Sequence, residues 1–181
     1  AYHVLAHSIH RHASKPVAIT PLVLSQLPLK RQRSVFQSTD FSFSRFLVPW
    51  LCDYQGQAVF LDCDMLVRSD ITELLEYLDG SDVQVVKHDY RPSTESKFLN
   101  QVQSRYEKKN WSSVMLFDNA KCRTLTPEAV DSETGLYLHQ FKWASEVGNL
   151  PVAWNHLVTE YPYNPHAKLV HYTLGTPCFA K

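Results

Sequence analysis

The sequence has few glycines, no excess of either charge and no long apolar run. Eighteen Lys and Arg side chains balance eighteen Asp and Glu side chains, so there is no basic surplus to hold a polyanion by counterion release. The longest apolar runs, such as residues 58–61, fall far short of the ~20 residues that a bilayer span needs. We therefore expect neither a nucleic-acid partner nor a transmembrane segment.

Cysteine is also scarce, and its spacing predicts no metal or redox motif. No Cys-x-x-Cys pair occurs, and four cysteines are too few for a disulfide scaffold in a chain of this length. The first residues have neither an initiator methionine nor the pattern of a signal peptide. The sequence thus favours a reducing, cytoplasmic location and a chain in which further residues precede Ala1.

Apolar runs of strand length alternate with helical patterns through most of the chain. This alternation predicts one α/β domain over residues 1–181, large enough to bury roughly two-thirds of the surface of its unfolded chain. A nucleotide-binding α/β unit normally begins with a strand, whereas this chain opens with a helical pattern, so the first strand is expected before Ala1. Strands are predicted at 17–24, 58–61, 83–87, 114–117 and 168–172, and helices at 2–12, 46–51, 71–78, 97–106 and 136–144, with one more starting at Thr126-Pro127.

The strongest chemical signal is the pair Asp62 and Asp64, directly after a continuous apolar run of the kind typical of buried parallel strands. Residues two apart in an extended chain project to the same side, so both carboxylates can converge on one cation or on the phosphates that it holds. Ligands of open α/β sheets bind beyond the carboxyl ends of strands. His171 is a candidate third ligand, because an imidazole beside two carboxylates suits Mn²⁺.

Three motifs together resemble the GT-A glycosyltransferases of the retaining family eight type, which includes glycogenin and bacterial lipopolysaccharide galactosyltransferases. They are Phe60-Leu61-Asp62-Cys63-Asp64, Asn110-x-Ser112-Ser113-Val114-Met115-Leu116-Phe117 and His171-Tyr172-x-x-Gly175-x-Pro177. They stand in the family's order and span nearly the whole chain. The resemblance implies a small GT-A (Rossmann-like) nucleotide-diphospho-sugar transferase fold that transfers a hexose from UDP-glucose or UDP-galactose, with retention of configuration, to a glycan, lipid or protein acceptor.

The resemblance also implies roles for single residues. Asp62, Asp64 and His171 match the ligands of Mn²⁺, for which Mg²⁺ is an alternative, and Asp64 and Gln140 match catalytic positions. The matched substrate-binding positions are Arg45, Asn110, Ser112, Ser113, His139 and Gly175. His139 stands where many members have a sugar-binding aspartate, and the phosphate-binding lysine that normally follows Gly175 is absent. From their own position at a strand end, His88 and Asp89 are predicted to line the sugar or acceptor side.

Two other functions remain open from the sequence. Four apolar residues followed by Asp62-x-Asp64 also open the haloacid-dehalogenase-type phosphatases, in which the first aspartate is a nucleophile and the second an acid. Leu66 stands where that fold has Thr or Val, and its later lysine and acidic pair are not found. A non-catalytic nucleotide- or carbohydrate-binding module is the third interpretation, and metal binding without sugar turnover would identify it.

Overall fold

The computed structural model describes residues 1–31, 41–89, 108 and 110–177. The fold is mixed α/β, as the alternation of patterns predicts, and its strands form two sheets. In chain order the strands are β1 (Gln57–Leu61), β2 (Met65–Val67), β3 (Val83–Val85), β4 (Val114–Asp118), β5 (Val147–Asn149), β6 (His156–Leu157) and β7 (Leu169–His171). The helix predicted at 97–106 lies outside the described residues.

The larger sheet has the order β1-β4-β3-β5. β4 runs antiparallel to both of its neighbours, with Gln57 opposite Asp118 and Leu61 opposite Val114, while β3 and β5 are parallel. The prediction that β1 is a parallel strand is therefore wrong for its pairing with β4. A continuous apolar run reports burial on both faces, which a central antiparallel partner produces equally well.

The smaller sheet has the order β2-β7-β6. β2 pairs antiparallel with β7, so that Met65 lies opposite His171, and β6 runs parallel to β7. The sequence patterns predict β7 but not β2 or β6. β2 and β6 have three and two residues and no longer strand pattern around them, whereas β7 lies inside the longer predicted strand at 168–172.

The helices are short apart from the first. They are α1 (Tyr2–His12), α2 (Val48–Leu51), α3 (Pro127–Ser132) and α4 (Gly135–His139), with 3₁₀-helices at Leu24–Gln26, Ser44–Leu47, Ile71–Tyr77, Trp111–Ser113, Asn119–Lys121 and Val152–Asn155. The predictions of α1 and α3 are confirmed. As predicted, α3 begins after an N-cap, where the Thr126 hydroxyl accepts a hydrogen bond from the Ala129 N–H at 3.2 Å.

Several predicted elements differ from the structure for identifiable reasons. Residues 17–24 are irregular rather than a strand, and Pro21 removes one ladder donor there. The helix predicted at 136–144 ends at His139, because Phe141 adopts a left-handed conformation with φ of 58°. The helix predicted at 71–78 is a 3₁₀-helix. At its N-terminus the Asp70 carboxylate accepts a hydrogen bond from the Thr72 N–H at 3.0 Å, and no capping box with Glu73 forms. The helix predicted at 46–51 is divided between the 3₁₀-helix Ser44–Leu47 and α2, which has Pro49 in its first turn.

The larger sheet separates two hydrophobic cores. Successive residues of β4 face opposite sides, so Met115 and Phe117 join one core with Phe46, while Leu116 packs into the other with Trp154. All five of these side chains are fully buried. The two cores hold the sheet rigidly, which fixes the position of the polar loops that follow β1 and precede β4.

Among the described residues, no helix combines the length and the apolar character that crossing a bilayer requires. Cys52, Cys63 and Cys122 are free thiols.

Candidate metal centre

Asp62, Asp64 and His171 come together where the two sheets meet. Asp62 follows β1, and its N–H donates to the Ser113 carbonyl at 3.0 Å, while the Asp64 carbonyl accepts from the Tyr172 N–H at 3.0 Å. One oxygen of each carboxylate and one ring nitrogen of His171 all lie within 4.8 Å of one another. Strand pairing therefore places three side chains from distant parts of the sequence around one point.

The chemistry of this donor set fits a divalent cation. Two ligand atoms that each bond to one cation at about 2.2 Å lie at most about 4.4 Å apart, and the 3.3 Å between His171 Nε2 and Asp64 Oδ1 is within that limit. Two carboxylates and one imidazole suit Mn²⁺ or a similar borderline-hard ion, and the carboxylates repel each other unless a positive charge lies between them. Within the part of the chain that the structure describes, no other trio of His, Cys, Asp or Glu is arranged in this way.

Arg45 supports Asp62 from the inner side. Its Nη2 lies 2.8 Å from Asp62 Oδ1 and its Nη1 3.4 Å from Oδ2, and Nη1 also donates to the Ser112 carbonyl at 2.9 Å. Burial raises the pKa of Asp62, and the positive charge of Arg45 opposes that rise. Each carboxylate oxygen has more than one lone pair, so pairing with Arg45 leaves Asp62 able to bind a cation as well.

Asn155 determines which nitrogen of His171 carries the proton. The Asn155 amide nitrogen lies 3.3 Å from the Asn110 carbonyl, which can only accept, so the amide oxygen faces His171 Nδ1 at 3.0 Å. Nδ1 must then donate, and the lone pair of a neutral imidazole is left on Nε2, 3.3 Å from Asp64 Oδ1. A metal-binding histidine needs this tautomer, which a hydrogen bond to its other nitrogen holds in place.

The loop before β4 connects this centre to His139. The Ser113 hydroxyl donates to the Asn110 carbonyl at 2.6 Å and lies 2.8 Å from the Asn155 amide nitrogen, and Asn110 has a left-handed φ of 61°. The Ser112 hydroxyl lies 2.8 Å from His139 Nδ1. Through Ser112, the predicted sugar-binding histidine is connected to Arg45 and hence to Asp62.

The other predicted site residues lie around this network. His88 is buried, with Nδ1 2.8 Å from the Tyr161 hydroxyl and its carbonyl accepting from Trp111 Nε1 at 2.9 Å. Asp89 and Gly175 are exposed. Gln140 caps α4, and its carbonyl accepts from Lys108 Nζ at 2.8 Å. Among the described residues, Asp89, Gln140 and Gly175 are not joined to the three candidate ligands by hydrogen bonds.

A protein of known sequence shares most of its length with this chain. Protein CDI of Arabidopsis thaliana is 45% identical over 193 residues, an alignment that covers 99% of this chain and 74% of that protein. The chain belongs to the Protein CDI family. No family profile matches the sequence.

The solved structures that align with this chain include glycosyltransferases. GlyE of Streptococcus pneumoniae aligns with a TM-score of 0.48 and 18% identity over 72% of this chain, and mouse xyloside xylosyltransferase 1 aligns with a TM-score of 0.46 and 17% identity over 87%. The galactosyltransferase LgtC aligns with a TM-score of 0.43 and 12% identity over 74%. The chain spans 37% of GlyE, 71% of the xylosyltransferase and 58% of LgtC.

One residue that contacts the candidate centre was not predicted from the sequence, namely Asn155. It is fully buried and holds both His171 and the Ser113 loop. Asn155 and His171 are 16 residues apart, and no sequence motif with that spacing predicts a contact between an asparagine and a histidine. Tyr161, the partner of His88, was missed for the same reason.

His139 makes the stability of the protein depend on pH. Its ring packs edge-on against Phe46 with the centroids 5.1 Å apart, and burial, with smaller contributions from Arg45 and Arg31, lowers its pKa to about 3. Below the ordinary histidine pKa of about 6.5, the unfolded chain gains a proton at this residue that the folded chain does not. The free energy of unfolding therefore decreases as the pH is lowered. Acidification from about pH 7 to about pH 5 should cost about 2 kcal/mol through this residue.

The variant His139→Asn tests this, because asparagine keeps a hydrogen-bonding group but does not titrate. Urea unfolding at both pH values should show a smaller loss of stability on acidification than in the unmodified protein. His166→Asn, at an exposed position, is the control and should keep the original pH dependence. Identical pH dependence in all three proteins would contradict the assignment of a buried neutral imidazole.

Proposed function

We propose that this chain is a GT-A-type glycosyltransferase domain that binds a nucleotide-sugar donor through a divalent cation. The cation is Mn²⁺, with Mg²⁺ as the alternative, and its ligands are Asp62, Asp64 and His171. The observation that carries this proposal is the convergence of their three ligand atoms within 4.8 Å at the end of β1. Further support comes from Arg45 and Asn155, which orient two of the three ligands from the protein interior.

The residues of the chain would divide the chemistry as follows. A divalent cation held by Asp62, Asp64 and His171 would supply positive charge to the diphosphate leaving group. Arg45 keeps Asp62 in place, and Asn155 keeps the Nε2 lone pair of His171 available. Gln140 is neutral and a weak nucleophile, so it is assigned a positioning role near the anomeric carbon. The loop that contains Ser112 is assigned the role of contacting the sugar of the donor.

Transfer with retention of configuration requires no dedicated protein base in this scheme. The acceptor hydroxyl approaches on the leaving-group face, and the departing phosphate oxygen takes its proton. The buried histidines near the centre support this assignment, because burial lowers the pKa of His88 and of His139 to about 3. An imidazole with so low a pKa is a weak base at neutral pH. The donor is proposed to be UDP-glucose or UDP-galactose.

The geometry of Asp62 favours a transferase over a dehalogenase-type phosphatase. In such a phosphatase the first aspartate attacks phosphorus, and a positively charged hydrogen-bonding partner on its oxygens lowers their nucleophilicity. Here both oxygens of Asp62 face Arg45, at 2.8 and 3.4 Å. A carboxylate held in this way suits a metal ligand better than a nucleophile. A non-catalytic binding module differs from the transferase only in turnover, which the next experiment measures.

The deciding experiment is a calorimetric titration of UDP into the protein with Mn²⁺ and then with chelator. We expect UDP to bind only with the metal present, and UDP-glucose or UDP-galactose to release UDP slowly under the same conditions. His171→Ala should lose metal-dependent binding, whereas His166→Ala, which changes an exposed histidine, should keep it. Metal-dependent binding without release of UDP from either sugar would identify a binding module. Equal UDP binding with chelator would contradict the proposed metal centre.

A further inference from the structure

The outer face of the smaller sheet carries a cavity that neither hydrophobic core uses. Met65 and Val67 of β2 point into a core and are 2% and 1% exposed, so Leu66 and Arg68 project to the opposite side. The cavity over that side has a volume of about 460 Å³. This volume lies in the range of small-molecule sites.

The lining of this cavity combines aromatic faces with polar groups. Three tyrosines line it, Tyr161, Tyr163 and Tyr172, together with the polar side chains of Asn164 and Arg68. Tyr163 is 83% exposed, so its ring does not fill a core. Arg68 also donates to the Pro165 carbonyl at 3.2 Å, which holds the guanidinium beside the cavity. We call this cavity the tyrosine groove.

The tyrosine groove is a neighbour of the candidate metal centre. A second cavity, of about 170 Å³, is lined by Asp64 and Cys63 and shares Leu66 and Tyr172 with the tyrosine groove. The Tyr172 N–H also donates to the Asp64 carbonyl at 3.0 Å, so the two sites are joined along one strand pair. The tyrosine groove is thus separated from the cavity beside Asp64 only by residues that line both, Leu66 and Tyr172.

We propose that the tyrosine groove binds a glycan and presents one of its hydroxyls as the acceptor, an inference that rests on the proposed transferase function. Sugar rings have an apolar C–H face that packs on an aromatic ring and hydroxyls that bond to amide and guanidinium groups, and the groove supplies both. Leu66, Val158 and Val170 also line the groove, but a lipid chain packed on them would make no use of the hydrogen-bonding groups of Arg68 and Asn164. In the transfer, the acceptor oxygen bonds to the anomeric carbon, the bond from that carbon to the diphosphate breaks, and the hydroxyl proton goes to the released phosphate oxygen.

The test uses four disaccharides as probes: lactose, maltose, cellobiose and xylobiose. Saturation-transfer NMR would detect binding at millimolar concentration, and UDP release from UDP-glucose and UDP-galactose would be followed with and without each sugar. We expect at least one disaccharide to bind and to accelerate UDP release. In Tyr163→Ala the concentration of that sugar needed for half-maximal acceleration should rise about tenfold, because one stacking face is lost. Trp50→Ala, an exposed aromatic outside the groove, should match the unmodified protein.

The outcomes separate this inference from the proposed function. If the protein releases UDP but no probe binds or accelerates release, the tyrosine groove is not a glycan acceptor site and the transferase assignment stands. The same conclusion follows if Tyr163→Ala behaves like Trp50→Ala. If sugars bind in a Tyr163-dependent manner but no donor is ever turned over, the acceptor role is overturned together with the transferase. Thermal unfolding of both variants verifies that they are folded.

Discussion

Asp64→Asn is expected to lower the kcat for metal-dependent UDP release by at least about a hundredfold. The substitution removes one of the two negative charges proposed to hold the cation but keeps the size of the side chain. The fold should survive, because the Asp64 side chain is 35% exposed and the backbone carbonyl, not the carboxylate, accepts from Tyr172. Calorimetry with Mn²⁺ should show weaker metal binding in parallel with the loss of turnover.

The matched control for this variant is Asp53→Asn. Asp53 is exposed and has a left-handed φ of 51°, a conformation that asparagine tolerates well. This control should retain full metal binding and full turnover. If Asp64→Asn is as active as Asp53→Asn, then Asp64 is not a ligand of a catalytic metal.

Arg45→Ala is expected to destabilise the folded protein by about 3 kcal/mol. Arg45 is only 8% exposed, and its removal leaves the carboxylate of Asp62 without its closest positive partner. It also leaves the Ser112 carbonyl without the donor at 2.9 Å. Urea unfolding in the presence of chelator would measure the loss without any contribution from bound metal. Arg11→Ala, which removes an exposed arginine of α1, should change stability little.

A double variant isolates the charge interaction from the loss of packing. In Arg45→Ala the unpaired charge of Asp62 is the larger cost, so adding Asp62→Asn should restore at least about half of the lost stability. The two single variants and the double variant complete a thermodynamic cycle. Strictly additive losses would mean that Arg45 and Asp62 do not stabilise each other, and that Arg45 acts through packing alone.

The sequence predicts the elements that lie within a continuous local pattern and misses those that do not. Helix α1 and strands β1 and β4 are recognisable because a helical pattern or an apolar run continues for four residues or more. Strands β2, β5 and β6 have three residues or fewer, and long-range pairing rather than local pattern makes them strands. The antiparallel pairing of β1 with β4 is likewise a property of the tertiary structure.

The same division applies to the candidate site. Asp62 and Asp64 can be recognised because two residues in an extended chain project together, and the motif around His171 resembles that of a known family. The structural support from Asn155 and the burial of His139 depend on residues that only folding brings near. The proposed roles of all the site residues, Gln140, Asp89 and Gly175 included, stay predictions.

Asp62 and His171, two of the three candidate ligands, are 109 residues apart in the sequence and adjoin different sheets, and this arrangement has a consequence for folding. A cation held by Asp62 and His171 would act as a cross-link that closes a very long loop, as a disulfide does. Because an ion that binds only the folded chain stabilises it by mass action, manganese supply would influence how long the protein stays folded as well as how fast it turns over. Synthesis must also proceed beyond Tyr172 before any such cross-link can form, so metal uptake would report that the chain is complete up to that residue.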